Sequence, residues 1–357
     1  MQEWVDGLLR SPALAGWPPA LAYLLAMVFW SVIILVWVLT VVLFLVWLER
    51  KVSARIQSRI GPVDTGVKYG WAQTPADALK LLLKEDLIPE DADKLLFNLS
   101  PVIVFVGSFL TLATMPFGKN LAVSNLNVGL FYILAVASFG VVGIMMGGWA
   151  SNNKWSLYGA MRAASQIVSY EIPVALSLIG VVMFTGSLNM NQIAASQVGG
   201  FWHWNLFRSP FLFFGGMVYF IASLAEINRT PFDLPEAESE LVSGYHTEYS
   251  GMKFAFFFLA EFANMFVVAA IASVAFLGAW SGPVPIHLGP SVIPGVVWFL
   301  VKCFTLILVM MWLRWTLPRL RVDQLMHVCW KVLIPISFLL LIGLGLQMIL
   351  FKQLAPL

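Results

Sequence analysis

Eight stretches of nearly unbroken apolar residues alternate with polar connections along the chain. They fall at roughly 21–48, 95–116, 128–149, 160–187, 209–227, 252–280, 294–316 and 328–351. About 20 apolar residues in a helix cross the hydrocarbon core of a bilayer. Backbone in lipid must also satisfy its own hydrogen bonds, which favours helices. The pattern therefore predicts an all-α polytopic membrane protein of eight transmembrane helices, forming a single membrane domain over residues 1–357. The first run is too long for the apolar centre of a cleaved leader and has no small-residue cleavage site behind it; it reads as a span.

Three polar connections interrupt this pattern, at 49–94, 228–252 and 317–327. In the first, Arg50, Arg55 and Arg59 punctuate a helical continuation of the opening span, which Gly61-Pro62 stops. Thr74-Pro75 restarts a helix, with Pro suited to the first turn and Asp77 complementing its dipole. Leu79, Leu82 and Leu83 share a face beside Lys80 and Lys84, the signature of an amphipathic helix lying in the membrane interface. A plain lipid-touching anchor explains most of this helix; the lone acid Asp77 argues for a more specific role.

Composition agrees: the chain is 60% hydrophobic and only 11% charged, far from the quarter charged of soluble domains. The bases are unevenly placed. The connections after the first, third, fifth and seventh runs hold 16 of the 21 Lys and Arg, against Arg10, Lys119, Arg208 and Lys352 on the other side. Lys302, well inside the seventh run, completes the 21. The positive-inside rule then puts both termini on the non-cytoplasmic side. Only two cysteines are present, Cys303 and Cys329, with no C-x-x-C, and four scattered histidines. No haem attachment, iron–sulfur or multi-histidine metal motif is visible, nor a nucleotide-binding loop. Any electron carriers belong to partners.

The acids carry the chemistry. Glu171, in "QIVSYEIPVAL" with Pro173 close behind, Glu226 and Glu261 lie within or at the ends of spans. Each costs roughly 2.5–3.5 kcal/mol at the centre of a span on insertion scales, so such acids are functional candidates by default. Singly, each reads equally as a snorkelling or partner-paired acid; three at similar depth on one side point to proton handling. The connection after the fifth span carries Asp233, Glu236, Glu238, Glu240 and Glu248 around Arg229. Pro231, Phe232, Leu234, Leu241, Val242 and Tyr245 are interleaved among them and need a surface to bury against. With Lys253 counted, its net charge of −3 is matched by +3 in "RWTLPRLRVDQLMHVCWK", so the two loops are expected to pack together and shape a polar cavity roofed by a partner. A secondary transporter would use similar acids, but no internal repeat or paired broken helices appear. A purely structural anchor for a soluble arm would leave Glu171 and Glu261 unexplained.

"NRTPFDLPEAESELVSGYHTEYSGMKF" closely resembles the signature loop of the H subunit of bacterial respiratory complex I, the counterpart of mitochondrial NADH dehydrogenase subunit 1. "ERKVSARIQSRIGP", "PADALKLLLKEDLIP", "SYEIP" and "PRLRVDQLMHVCWK" resemble its other segments, in the same order, over roughly residues 20–350. The resemblance departs at "GPVDTGVKYGWAQTP", where Asp64 replaces a common base and a second Pro is absent. It implies a membrane subunit of a proton-translocating NADH:quinone oxidoreductase in the bacterial inner membrane. This subunit forms most of a tunnel for ubiquinone or menaquinone, with no redox centre of its own. FMN and iron–sulfur clusters would sit on partner subunits. The implied partners are peripheral-arm iron–sulfur and quinone-site subunits, small and antiporter-like membrane subunits, and membrane lipid, with no nucleic acid. By position, Glu171, Glu226, Glu261 and Asp77, with Tyr170, resemble a proton relay. Arg50, Arg55, Arg59, Arg229, Asp233, Glu236, Glu238, Glu240, Glu248 and Arg314 resemble residues of the quinone cavity and its mouth. The equivalent subunit of a membrane-bound hydrogenase or other-donor complex is the nearest alternative.

Overall fold

The computed structural model describes residues 19–66, 68–119, 121–235, 238–283 and 294–351. The helices in chain order are α1 (Pro19–Ile56), α2 (Gln73–Leu83), α3 (Lys94–Thr111), α4 (Gly129–Ala137), α5 (Phe139–Ala150), α6 (Lys154–Thr185) and α7 (Met190–Ala195). They continue with α8 (Asn205–Arg208), α9 (Pro210–Glu226), α10 (Glu238–Leu241), α11 (Gly251–Phe276), α12 (Gly295–Thr316), α13 (Val322–His327) and α14 (Ile334–Leu350).

Among the described residues, seven helical stretches are long and apolar enough to cross a membrane: Tyr23–Ile56, Lys94–Thr114, Gly129–Ala150, Lys154–Thr185, Gly251–Phe276, Gly295–Thr316 and Val322–Leu350. The fifth apolar run forms α9, whose 17 residues extend about 26 Å at 1.5 Å per residue. Polar side chains set several starts. Asp93 accepts from the N–H groups of Leu95 and Leu96 at the head of α3. Asn153 caps α6, and Ser209 caps α9 just before Pro210. Gly186, at φ 70°, ends α6 in the left-handed conformation that glycine adopts without steric cost. Helix α6 begins at Lys154, six residues before its expected start, so Arg162 lies on its third turn. A short antiparallel hairpin, Pro116–Gly118 with Leu121–Ala122, is the one strand pair among the described residues. It was not foreseen.

Helix α11 is the axis of the fold. From Phe262 to Phe276 all but one residue is buried, against α3, α12, α1 and α9. Helix α6 packs between α9, α5 and α14. The close crossings rest on small residues, which let helix backbones approach. A Cβ on Gly148 would fall 2.2 Å from that of Ala160. One on Gly159 would fall 2.7 Å from the backbone of Gly244 and Tyr245, where the acidic loop lies against α6. The departing loop is held to α1: Trp71 stacks on Trp47 at 4.0 Å, and Trp47 Nε1 donates to Tyr69 O at 3.1 Å. Leu79, Leu82 and Leu83 of α2 are all exposed, so their shared apolar face turns away from the protein.

Candidate functional site: a buried acid–base junction

The site is built where the end of α1, the 227–250 loop, α11 and the 317–321 connection converge. Val38, Val42, Leu45, Val46 and Glu49 lie three or four residues apart on α1, and all are buried. The apolar stripe thus carries Glu49 inside. The loop after α9 turns sharply: Asn228 has φ 53°, and Arg229 N donates to Leu224 O at 3.2 Å. Gln166 of α6 fastens this turn by donating to Ala225 O (2.8 Å), Phe232 O (2.7 Å) and Asn228 Oδ1 (3.1 Å). Phe232 and Leu234 are buried beneath it.

Arg229 is thereby delivered into the interior, only 3% exposed. Its Nη1 donates to both oxygens of Glu49, at 3.1 and 3.2 Å. Its Nε lies 3.0 Å from Glu261 Oε1 on α11, and its guanidinium sits 4.5 Å from the Phe262 ring centroid. Arg314, at the end of α12, bonds the same Glu49 oxygen. Arg319 pairs with Asp233 at 3.2 Å, and Leu320 N donates to Pro231 O at 3.0 Å. The acidic loop and the basic connection therefore do touch, as their opposite charges predicted. Buried charges are tolerated when paired like this, and removing one partner is strongly destabilising.

Beside this cluster runs a cavity of about 80 Å³, lined by Glu226, Glu261, Tyr219, Asn228, Tyr245 and Asn264 among apolar residues. It is polar at its acidic end and large enough for several waters. Glu171, half-buried, is close enough for its charge to act on Glu226 but is not among the residues lining the cavity. Tyr170 is fully buried, and its hydroxyl donates to Leu325 O at 2.8 Å. That commits the hydroxyl proton to the chain segment of α13.

The other predicted residues lie apart from this junction. Asp77 pairs with Arg50 at 2.5 Å and accepts from Gln73 Nε2, on the flank formed by α1 and α2. Arg55 and Arg59 are exposed. Glu240 pairs with Arg162 at 2.6 Å, and Glu248 accepts from Asn153 Nδ2 at 2.5 Å, both against the start of α6. Glu236 lies outside the described residues, as does the side chain of Glu238. His246, wedged edge-on between Tyr245 and Phe254, has its pKa pushed down to about 4 by burial.

Glu49, Gln166 and Asn228 are the residues that sequence reasoning passed over, and Arg319 entered it only as part of the charge of its connection. For Glu49 the signal was present, since it continues the buried spacing of α1. For Gln166 nothing marked it, because its role depends on a loop some sixty residues away.

The described residues thus define a many-span helical membrane protein with a paired acid–base cluster and a cavity lined by Glu226 and Glu261 inside its bundle. Comparison with known proteins narrows the class. A family model described as NADH dehydrogenase matches residues 29–345. The H subunit of the NADH-quinone oxidoreductase of Chlorobaculum parvum is 52% identical over 347 residues, covering 92% of this chain and 96% of that protein. Its counterparts in Chlorobaculum tepidum (52% over 345 residues; 92% and 95%) and Bacillus cytotoxicus (50% over 307; 86% and 89%) are similar to this chain as well. The chain belongs to the NADH dehydrogenase family of membrane subunits.

Proposed function

We propose that this chain is the H-type membrane subunit of a proton-translocating NADH:quinone oxidoreductase, an enzyme complex, and that it couples quinone reduction to proton displacement. The observation that carries the coupling is Arg229, bonded at once to Glu49 and Glu261 beside a cavity that Glu226 also lines. Reduction of a quinone to a quinol takes up two electrons and two protons. Added negative charge near these carboxylates is costly at low dielectric, so it must be neutralised by proton transfer or by shifts of the arginine between its partners.

In this reading quinone enters along an apolar tunnel between α1, α11, α12 and the interface helix α2, with Arg50, Arg55 and Arg59 toward its mouth. Asp233, Glu236, Glu238, Glu240, Glu248 and Arg314 shape the cavity and its approach. The relay runs through Asp77, Glu226, Glu171 and Glu261, with Tyr170 holding α13 beside it. The protein spans the bacterial inner membrane eight times, α9 being the shortest span, with both termini on the periplasmic side. The FMN, the iron–sulfur clusters and the antiporter-like membrane subunits are partners. The test is Glu226→Gln and Glu171→Gln in assembled complex reconstituted into vesicles. Both are expected to lower NADH-driven proton uptake at least tenfold. Uptake at the native rate would remove the relay role, and loss of assembly alone would favour a docking anchor.

A further inference from the structure

Lys302 is a buried cation that the acid–base junction does not use. It sits in the second turn of α12, only 8% exposed, twelve residues before Arg314 and so about 18 Å from it along the helix. Its Nζ donates to three backbone carbonyls, Leu277 O (2.6 Å), Ala279 O (2.9 Å) and Ser281 O (2.7 Å). It also lies 4.3 Å from the Trp204 ring centroid. An ammonium has three N–H donors and no lone pair, which matches three carbonyl acceptors; a neutral amine would turn its lone pair toward one of them. The geometry is that of a charged group held in a carbonyl cage.

The cage is the outer end of α11. Gly278 and Ala279 both have positive φ, 73° and 42°, and turn the chain so that its last carbonyls converge. A Cβ on Gly278 would lie 2.7 Å from Trp204 Cδ1 and from Ser281 Oγ, so the turn is tightly closed. The preceding carbonyls are taken up as well. Gln197 Nε2 donates to Val274 O at 2.8 Å, and Asn205 Nδ2 donates to Ala275 O at 2.8 Å. The carbonyls of Val274, Ala275 and Leu277 at the negative end of the helix dipole are thus taken up from other elements, and Lys302 brings a positive charge to that end.

Sixteen residues of α11, about 24 Å, separate this cage from Glu261. The cavity beside Glu226 and Glu261 extends along α11 as far as Ile271, and Val274, Ala275 and Phe276 are buried between its end and the cage. We propose that the Lys302 ammonium is a fixed electrostatic barrier that closes the carboxylate cavity toward the outer side of the membrane. A proton approaching from that side meets a positive charge in low dielectric whose acceptors are already occupied, the physical means by which charged constrictions exclude cations from pores. The acids then exchange protons only with the quinone side and their neighbours within the membrane. This inference rests on the proton-handling role proposed for Glu226 and Glu261.

The experiment uses intact complex in sealed vesicles carrying Lys302→Gln, which keeps hydrogen-bond donors but loses the charge, and Lys302→Arg, which keeps the charge. Passive proton entry is driven by a potassium diffusion potential without NADH, and NADH:quinone turnover is measured separately. Lys302→Gln is expected to turn over within about twofold of native while passive proton entry rises severalfold; Lys302→Arg is expected to stay tight. A tight Lys302→Gln complex overturns the barrier. So does failure of Lys302→Gln to assemble when Lys302→Arg assembles, because that reduces the residue to a structural clamp. Native complex that reduces quinone without moving protons would instead overturn the underlying function.

Discussion

Arg229 and Glu261 meet at 3.0 Å inside the protein, while the same guanidinium holds Glu49 at 3.1 Å. One base thereby joins the end of the first helix to the axial helix of the fold. Neither contact is local in sequence, and both depend on the loop after α9 turning inward.

Replacing this base should expose the energetics of the junction. Arg229→Met leaves two buried carboxylates without their shared cation, and removing one member of a buried pair typically costs about 3–5 kcal/mol. We expect a large fall in the thermal stability of the purified complex. Arg314 still pairs with Glu49 in that variant, so Glu261 is the carboxylate left without its cation, and Arg229→Met combined with Glu261→Gln should recover part of the loss. A double variant no better than the single one would show that Glu261 is not the carboxylate left stranded.

Gly159 is where helix α6 touches the backbone of the acidic loop. A methyl group there would lie 2.7 Å from Gly244 Cα and Tyr245 N, with only backbone to yield. Gly159→Ala should destabilise by roughly 1–3 kcal/mol through overpacking. Amide hydrogen exchange should rise around residues 244–249 while α12 keeps its protection. Unchanged exchange in that loop would refute the contact.

Gln166 spends both amide protons on the turn that delivers Arg229. Gln166→Leu removes these donors, and Ala225 O and Phe232 O keep only their backbone donors, Asn228 N and Leu234 N, a loss of about 0.5–1.5 kcal/mol per hydrogen bond. Quinone turnover should fall more than stability alone would explain, because Arg229 loses its support. Gln166→Glu should not restore it, since a carboxylate can only accept.

His246 makes the acidic loop sensitive to pH. Burial holds its folded-state pKa near 4, whereas an unperturbed imidazole titrates near 6.5. Between these values the unfolded chain binds a proton that the folded chain does not. Stability therefore rises with pH through this window and is lost as pH falls from about 6.5 toward 4. Thermal unfolding of the complex between pH 7.5 and 5 should show this acid limb, and His246→Phe should flatten it. An identical slope in the variant would assign the titration elsewhere.

Much of this was legible in the residues. The long apolar runs gave the helical membrane fold, and Thr74-Pro75 stood where the interface helix begins. The match of loop charges foretold that the two loops touch, and they do so through Asp233 and Arg319. Glu226 and Glu261 were singled out because an acid in an apolar run carries its cost openly. What could not be read was pairing in space. Tyr170 beside Glu171 suggested a shared task, yet its hydroxyl faces α13. Asp77 stood with the membrane acids, yet it pairs with Arg50 on another flank. Nothing in the sequence marked Gly148 and Gly159, because the Cβ of Ala160 and the backbone of Gly244 that press on them belong to other elements. Sequence shows which groups are expensive to bury; only the packing shows which neighbour makes each burial possible.

Helix α9 has a consequence for the surrounding lipid. In the eight-span arrangement its 17 residues reach about 26 Å, some 4 Å short of a typical hydrocarbon core. A short span is met by local thinning of the bilayer or by adjustment of its flanks. Glu226 is the last residue of this helix, so thinning at that end would draw headgroups and water toward its carboxyl. Acyl-chain length would then act as an external control on this protein, with thick bilayers burying Glu226 more deeply than thin ones.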